Sequence, residues 1–179
     1  MSIIIVPYQQ TWPDEFQQIS AVLQEALGDL ALRIDHIGST SVPDLAAKDI
    51  IDIQVTVLAF APAIEQAFNG IGYGRLRHLS DHIPIGSTTA ASEWEKWLFK
   101  PPQGQRLTNL HVRIAGRANQ RYALLFRDYL RTHPIAAQNY GLIKMALAQY
   151  HADDKEAYYV IKDPVCDMIM TAAEEWTDG

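Results

Sequence analysis

Residues 30–57, LALRIDHIGSTSVPDLAAKDIIDIQVTV, read as a strand, a tight turn, a short helical or coil segment and a second strand. In the first run Leu30, Leu32, Ile34 and His36 share one face, and Arg33 and Asp35 the other. Gly38 permits a sharp turn or a close backbone approach, and Ser39, Thr40 and Ser41 add hydroxyls and backbone N–H donors. In residues 50–57, Ile51, Ile53, Val55 and Val57 alternate with Ile50, Asp52, Gln54 and Thr56. Period two therefore sets Asp52 and Gln54 side by side on one face. A carboxylate inside an apolar strand needs a partner, because an unpaired desolvated charge is costly. A metal ion, a cationic side chain such as Lys48, or a polar cleft would supply one.

The rest of the chain frames that unit. At 179 residues, 48% hydrophobic and 20% charged, the sequence fits one globular α+β domain over 1–179. Cys166 is the sole cysteine, so no intrachain disulfide is possible. The apolar run at residues 3–6 is too short for a signal peptide or a membrane span, so a cytoplasmic, reducing location is expected.

Charge is uneven. Residues 1–90 carry four Lys/Arg against ten Asp/Glu, while residues 96–131 hold eight basic residues against the single acid Asp128. Carboxylates for a cation and Arg/Lys for phosphates suit metal-bound phosphate chemistry. The overall charge of −6 argues against duplex nucleic acid as partner.

Thr11-Trp12-Pro13-Asp14 starts a helix, with Thr11 as N-cap, and Gly28 closes it. Trp12 staples its entry or stacks on a base. Residues 62–68 form a short helix, and residues 71–77 a strand entering a loop. Residues 78–92, with His78 and His82, lack periodicity and read as a mobile surface loop. Residues 93–100 and 107–114 are strands of an antiparallel hairpin, the second aligning Asn109, His111 and Arg113. Helices follow over 119–133 and 135–150, and a third is capped by Asp153 or Asp154 and broken or kinked at Pro164. The expected fold is a mixed β-sheet flanked by helices, with a helical C-terminal third.

Gly38-Ser39 on a turn, followed by Asp52 on the next strand, resembles the nucleotidyltransferase fold. There a Gly-Ser turn holds a nucleotide phosphate, and an Asp-x-Asp or Asp-x-Glu binds magnesium. The block HIGSTSVPDLAAKDIIDIQV, with VPYQQTWPDEF, NLHVRIAG and LLFRDYLRTHP, is similar to the GrpB family within that superfamily. Some members of this family are joined to dephospho-CoA kinase. The resemblance implies a nucleotide or other phosphorylated small molecule as ligand, with metal-dependent nucleotidyl transfer as the activity. Asp52 and Gln54 would hold Mg or Mn, and Gly38, Ser39 and Thr40 the phosphates, with Lys48, Arg113, Arg127 or Arg131 balancing charge. Gln54 departs from the pattern: a neutral amide replaces the second metal carboxylate.

Other readings stay open. A catalytically silent ligand-binding or accessory module would need no second carboxylate. If the strands of His36 and His111 flank that of Asp52, the three would form a zinc, manganese or iron site for a hydrolase. Arg127 and Arg131, one helical turn apart, clamp a phosphate or pair with acids of the first half. The Walker pattern and the GxSxG elbow are absent, and no base for Ser39 or Ser41 is identifiable. Cys166 reads as an inert core thiol.

Overall fold

The computed structural model describes residues 2–76 and 80–178. Its strands are β1 (Arg33–Ile37), β2 (Ile51–Val57), β3 (Gly74–Leu76), β4 (Trp97–Lys100) and β5 (Thr108–Ile114). They form one mixed sheet of order β1-β2-β5-β4-β3. β2 runs parallel to β5, and the other neighbours are antiparallel. The helices are α1 (Trp12–Leu27), α2 (Pro62–Gly70), α3 (Ala118–Thr132), α4 (Pro134–Tyr150) and α5 (Lys155–Asp178).

The alternation in β2 gives the sheet two unlike faces. Ile51, Ile53, Val55 and Val57 join Leu110, Val112 and Phe99 in the main core. Trp12, Phe16 and Leu23 of α1, with Ile64 and Phe68 of α2, close that side. On the opposite side, register aligns Ile37, Asp52 and Asn109 in one row. The next row holds Asp35, Gln54 and His111, and the one after it Arg33, Thr56 and Arg113. This polar side faces the C-terminal helices, which have a second small core of Val42, Leu45, Leu130, Ala137, Tyr140 and Cys166.

Several elements depart from expectation. β1 begins at Arg33, because a 3-10 turn at Gly28–Leu30 takes up the preceding residues. Thr11 makes no side-chain cap; its hydroxyl instead donates to Glu15 Oε1, 3.0 Å away. Trp12 is buried and donates from Nε1 to Asp49 Oδ1 (2.8 Å), which fixes the helix entry. Asp154 caps α5 by accepting from Ala157 N at 2.9 Å. α5 continues through Pro164 rather than breaking there.

Residues 80–92 of the expected loop lie mostly at the surface, and the segment is anchored at several points. Ser80 bridges to Glu95, a 3-10 turn covers Ala91–Trp94, and side chains fasten the loop inward. His78 lies outside the described residues.

Central burial should dominate stability. Ile53 is fully buried in the middle strand. Ile53→Ala is expected to lower the unfolding free energy by about 2–5 kcal/mol in denaturant melts. Leu58→Ala, at a side chain 75% exposed, should stay within about 0.5 kcal/mol.

Candidate functional site

Gly38 follows β1 directly and has φ +68° and ψ −172°, a backbone region that only glycine occupies readily. A Cβ built there would lie 2.6 Å from Asp52 Oδ2. The turn and the carboxylate are thus in contact, side by side at the mouth of β2. Ser41 Oγ donates to Gly38 O (2.6 Å) and secures the corner.

Asp52 is partly exposed and accepts from Asn109 Nδ2 at 2.6 Å, while Lys100 Nζ donates to Asn109 Oδ1 from behind. His111 Nε2 lies 3.7 Å from Asp52 Oδ1, too long for a hydrogen bond, and the pair would carry opposite charges only with the imidazole protonated. Burial alone would raise the Asp52 carboxyl, yet His111, Asn109 and Lys100 outweigh it and hold it below its usual range. Burial pushes His111 down to about 4, with Arg113 and Lys96 adding to the effect against Asp52. His111 is therefore neutral at pH 7, and its buried Nδ1 has no hydrogen-bond partner among the described residues.

The corner opens into a cavity of about 430 Å³ between the polar side of the sheet and α3–α5. Gly38, Ser39, Thr40 and Asp52 form one wall. Lys48, Lys144 and Lys162 face it among Tyr140, Tyr158 and Tyr159. Lys144 is 3% exposed and donates to Ser39 Oγ (2.7 Å) and Ala46 O (2.6 Å), its Nζ 4.5 Å from the Tyr140 ring centre. Burial drives its ammonium down to about 7. Lys48 donates to Tyr159 OH (3.2 Å), and Lys162 to Asp163 Oδ1 (2.7 Å). Cys166 lines the same cavity, with Tyr140 OH at 3.5 Å and Lys162 Nζ at 3.6 Å from its sulfur.

The far end of the cavity is organised by Asp81 of the loop. It accepts two bonds from Arg113, at 2.8 and 3.0 Å, with Lys96 Nζ at 2.5 Å and Asn119 Nδ2 at 3.1 Å. Burial opposes ionisation, but Arg113 and Lys96 prevail and keep Asp81 charged far below the usual carboxylate range. His82 beside it contacts both oxygens of Asp167 on α5, at 2.9 and 3.1 Å.

The structure brings together Asp52, Gly38, Ser39, Thr40, Lys48, His111 and Arg113 around one cavity. It does not bring four other expected residues there. His36 lies on the opposite side of the sheet, paired with Ile53, stacked on Phe16 at 4.8 Å and bonded to Thr40 Oγ1 at 3.0 Å. It therefore cannot converge with Asp52 and His111. Period two across β1 and β2 forces this: Asp52 is opposite Ile37, so its face excludes His36. Gln54 is fully buried, donating to Gln120 O (3.2 Å) and accepting from Arg113 Nη1 (2.7 Å). Arg127 pairs with Asp128 and Asp35 and donates to His36 O (3.1 Å), while Arg131 donates to Ser41 O (2.9 Å). Both arginines brace β1 and the turn from α3, the acid-pairing alternative for Arg127, and neither lines the cavity.

Lys144, Asp81 and Lys162 were not singled out by sequence reasoning. A cue for Lys144 existed: it falls between Tyr140 and Leu147 on the apolar side of α4, where a charge is out of place. Asp81 gave none, since its loop has no periodicity.

A family model described as GrpB protein matches residues 2–172. The chain belongs to the GrpB family. The crystal structure of the conserved protein GrpB from Enterococcus faecalis superposes with a TM-score of 0.79 at 30% identity, covering 98% of this chain and all of that one. A UPF0157 protein of Halalkalibacterium halodurans is 32% identical over 96% of this chain and 83% of its own. A protein of Mycobacterium tuberculosis H37Rv named dephospho-CoA kinase is 38% identical over 98% of this chain. The GrpB chain spans about half the length of that relative, 47%. Among the described residues no helix is long and apolar enough to cross a membrane.

Among the described residues no three His, Cys, Asp or Glu side chains stand together as a metal cage. With Gln54 occupied and His36 facing away, the donors fit neither a two-metal centre nor a His/Asp/His site. Asp52 is the carboxylate at the Gly38 corner that could ligate a divalent cation.

Two measurements probe this geometry. Gly38→Ala forces a Cβ against Asp52 in a strained backbone region, and should cost about 1–3 kcal/mol in denaturant melts. The loss should shrink when Asp52 is also Gly, a non-additive double-mutant cycle. Lys144 titrates at about 7 folded and 10.5 unfolded, so between these values the unfolded chain binds the extra proton. The stability of the native protein relative to Lys144→Met should therefore rise with pH from 7 to 10.5 and be flat below 7, read from melts across pH.

Proposed function

We propose that the cavity binds a phosphorylated small molecule, with a nucleotide as the leading class. The observation that carries this reading is the packing of the Gly38 backbone onto Asp52 at a cavity lined by lysines. A phosphate beside Gly38 and Ser39 would meet backbone and hydroxyl donors, with Lys48 and Lys162 as counter-charge. Asp52 would take a divalent cation, Mg or Mn, carried in by the ligand; such an ion neutralises charge on a phosphate oxygen. The tyrosines of the wall offer flat apolar surface for a base or another planar group. The name dephospho-CoA kinase borne by longer relatives agrees with a phosphorylated ligand.

Whether a nucleotidyl group is then transferred depends on more than Asp52. The buried, doubly bonded amide of Gln54 favours a second reading, a ligand-binding or accessory module without turnover. Thermal-shift titration with nucleoside triphosphates, with and without Mg²⁺ or Mn²⁺, followed by product analysis, decides between them. Binding is expected to raise the melting temperature. Metal-dependent product lost in Asp52→Asn establishes the transferase. A shift without product, unchanged in Asp52→Asn, establishes the module. No shift with any phosphorylated compound overturns both.

A further inference from the structure

We propose that Ser39 is a nucleophile and Lys144 its general base, forming a covalent phosphoserine from a phosphoanhydride ligand. This rests on the phosphate-binding reading for its substrate, but not for its test. Nζ of Lys144 is 2.7 Å from Ser39 Oγ, and both side chains line the cavity. Among the described residues Lys144 makes no ion pair with a carboxylate; its second partner is the neutral carbonyl of Ala46. A buried ammonium without a counter-ion is destabilised, so its neutral amine is accessible near neutral pH. Lys162 and Lys48 nearby oppose the charged form, while Asp52 and Cys166 favour it, and burial exceeds them all. The amine keeps an N–H for Ala46 O and turns its lone pair to the Ser39 hydroxyl.

The glycine corner presents this hydroxyl. Gly38 and Ser41 hold the turn closed, so Ser39 points across the cavity to α4 rather than into the turn's own hydrogen bonds. Nucleophile and adjacent buried base are the elements of hydroxyl activation, and serine–lysine pairs are an established variant. In the step, Ser39 Oγ attacks phosphorus and its proton passes to Lys144 Nζ. The bond from phosphorus to the bridging oxygen breaks, and the leaving phosphate departs with that electron pair. Return to the starting state needs water to attack the phosphoserine, with the Lys144 proton restored to Ser39 Oγ.

The test uses the whole protein and a phosphoryl fluoride probe, which delivers a phosphoryl group with fluoride as leaving group. Intact mass and peptide mapping should find one adduct, on Ser39. Ser39→Ala should abolish it. The labelling rate of the native protein should rise with pH through an inflection near 7, the titration of Lys144. Lys144→Arg, which keeps the charge and the burial, should slow labelling by about 10² or more and remove that inflection. Thermal melts confirm that each variant is folded. Labelling confined to other residues, no labelling of folded native protein, or a rate indifferent to Lys144→Arg would overturn the proposal. Labelling does not require a nucleotide. Failure of the phosphate-binding reading would show separately, as unshifted melts with the Ser39 adduct intact.

Discussion

The parallel pairing of β2 with β5 imposes the constraint that shapes the molecule. It sets Asp52 beside Asn109, Gln54 beside His111 and Thr56 beside Arg113. The other side of both strands is aliphatic and closes against α1 and α2, as any half-buried sheet does. The polar side cannot be covered the same way, because each of its groups needs a partner once water is removed. Its covering must bring polar atoms, and the loop and α3 do so: Asp81 for Arg113, Gln120 O for Gln54, Asn119 for Asp81. Where that network ends, at Asp52 and the Gly38 corner, a cavity remains.

This explains why the central unit was legible in sequence and its surroundings less so. Alternation in residues 50–57 placed Asp52 and Gln54 on one face, and that of residues 108–114 aligned Asn109, His111 and Arg113, all without knowledge of the partner strands. The same rule put His36 on the face opposite Asp35, but which of the two shares the face of Asp52 is set by the pairing of β1 with β2, where His36 meets Ile53. Asp81 was invisible because its position depends on Arg113, 32 residues away, not on any local pattern. Pro164 shows the limit of a local rule: the tertiary packing of α5 carries the helix past a residue that would end an isolated one.

The basic segment of residues 96–131 shows a similar limit. Its charge looked available for a ligand. In the structure most of it is matched by acids of the first half or by neighbours. Arg106 pairs with Glu15 and Asp49, Arg113 and Lys96 with Asp81, Arg117 with Glu95, and Arg127 with Asp35 and Asp128. Four of these arginines and lysines, Arg106, Arg113, Lys96 and Arg127, thus join the two halves of the sequence through ion pairs to Glu15, Asp49, Asp81 and Asp35.

What remains for a ligand is a different type of cation. The arginines are held in forked, directional pairs and have little freedom to reorient. Of the cavity's lysines, Lys162 pairs with Asp163 and Lys96 with Asp81, whereas two lie against neutral or aromatic groups, Lys48 over Tyr158 and Tyr159 and Lys144 over Tyr140. A cation–π contact holds a charge without neutralising it, so these ammonium groups keep their attraction for an incoming anion. Burial makes the innermost of them, Lys144, the most easily deprotonated. One wall can therefore attract an anion through Lys48 and offer a neutral amine at its depth, Lys144. That combination follows from setting Lys48 and Lys144 among tyrosines rather than among carboxylates.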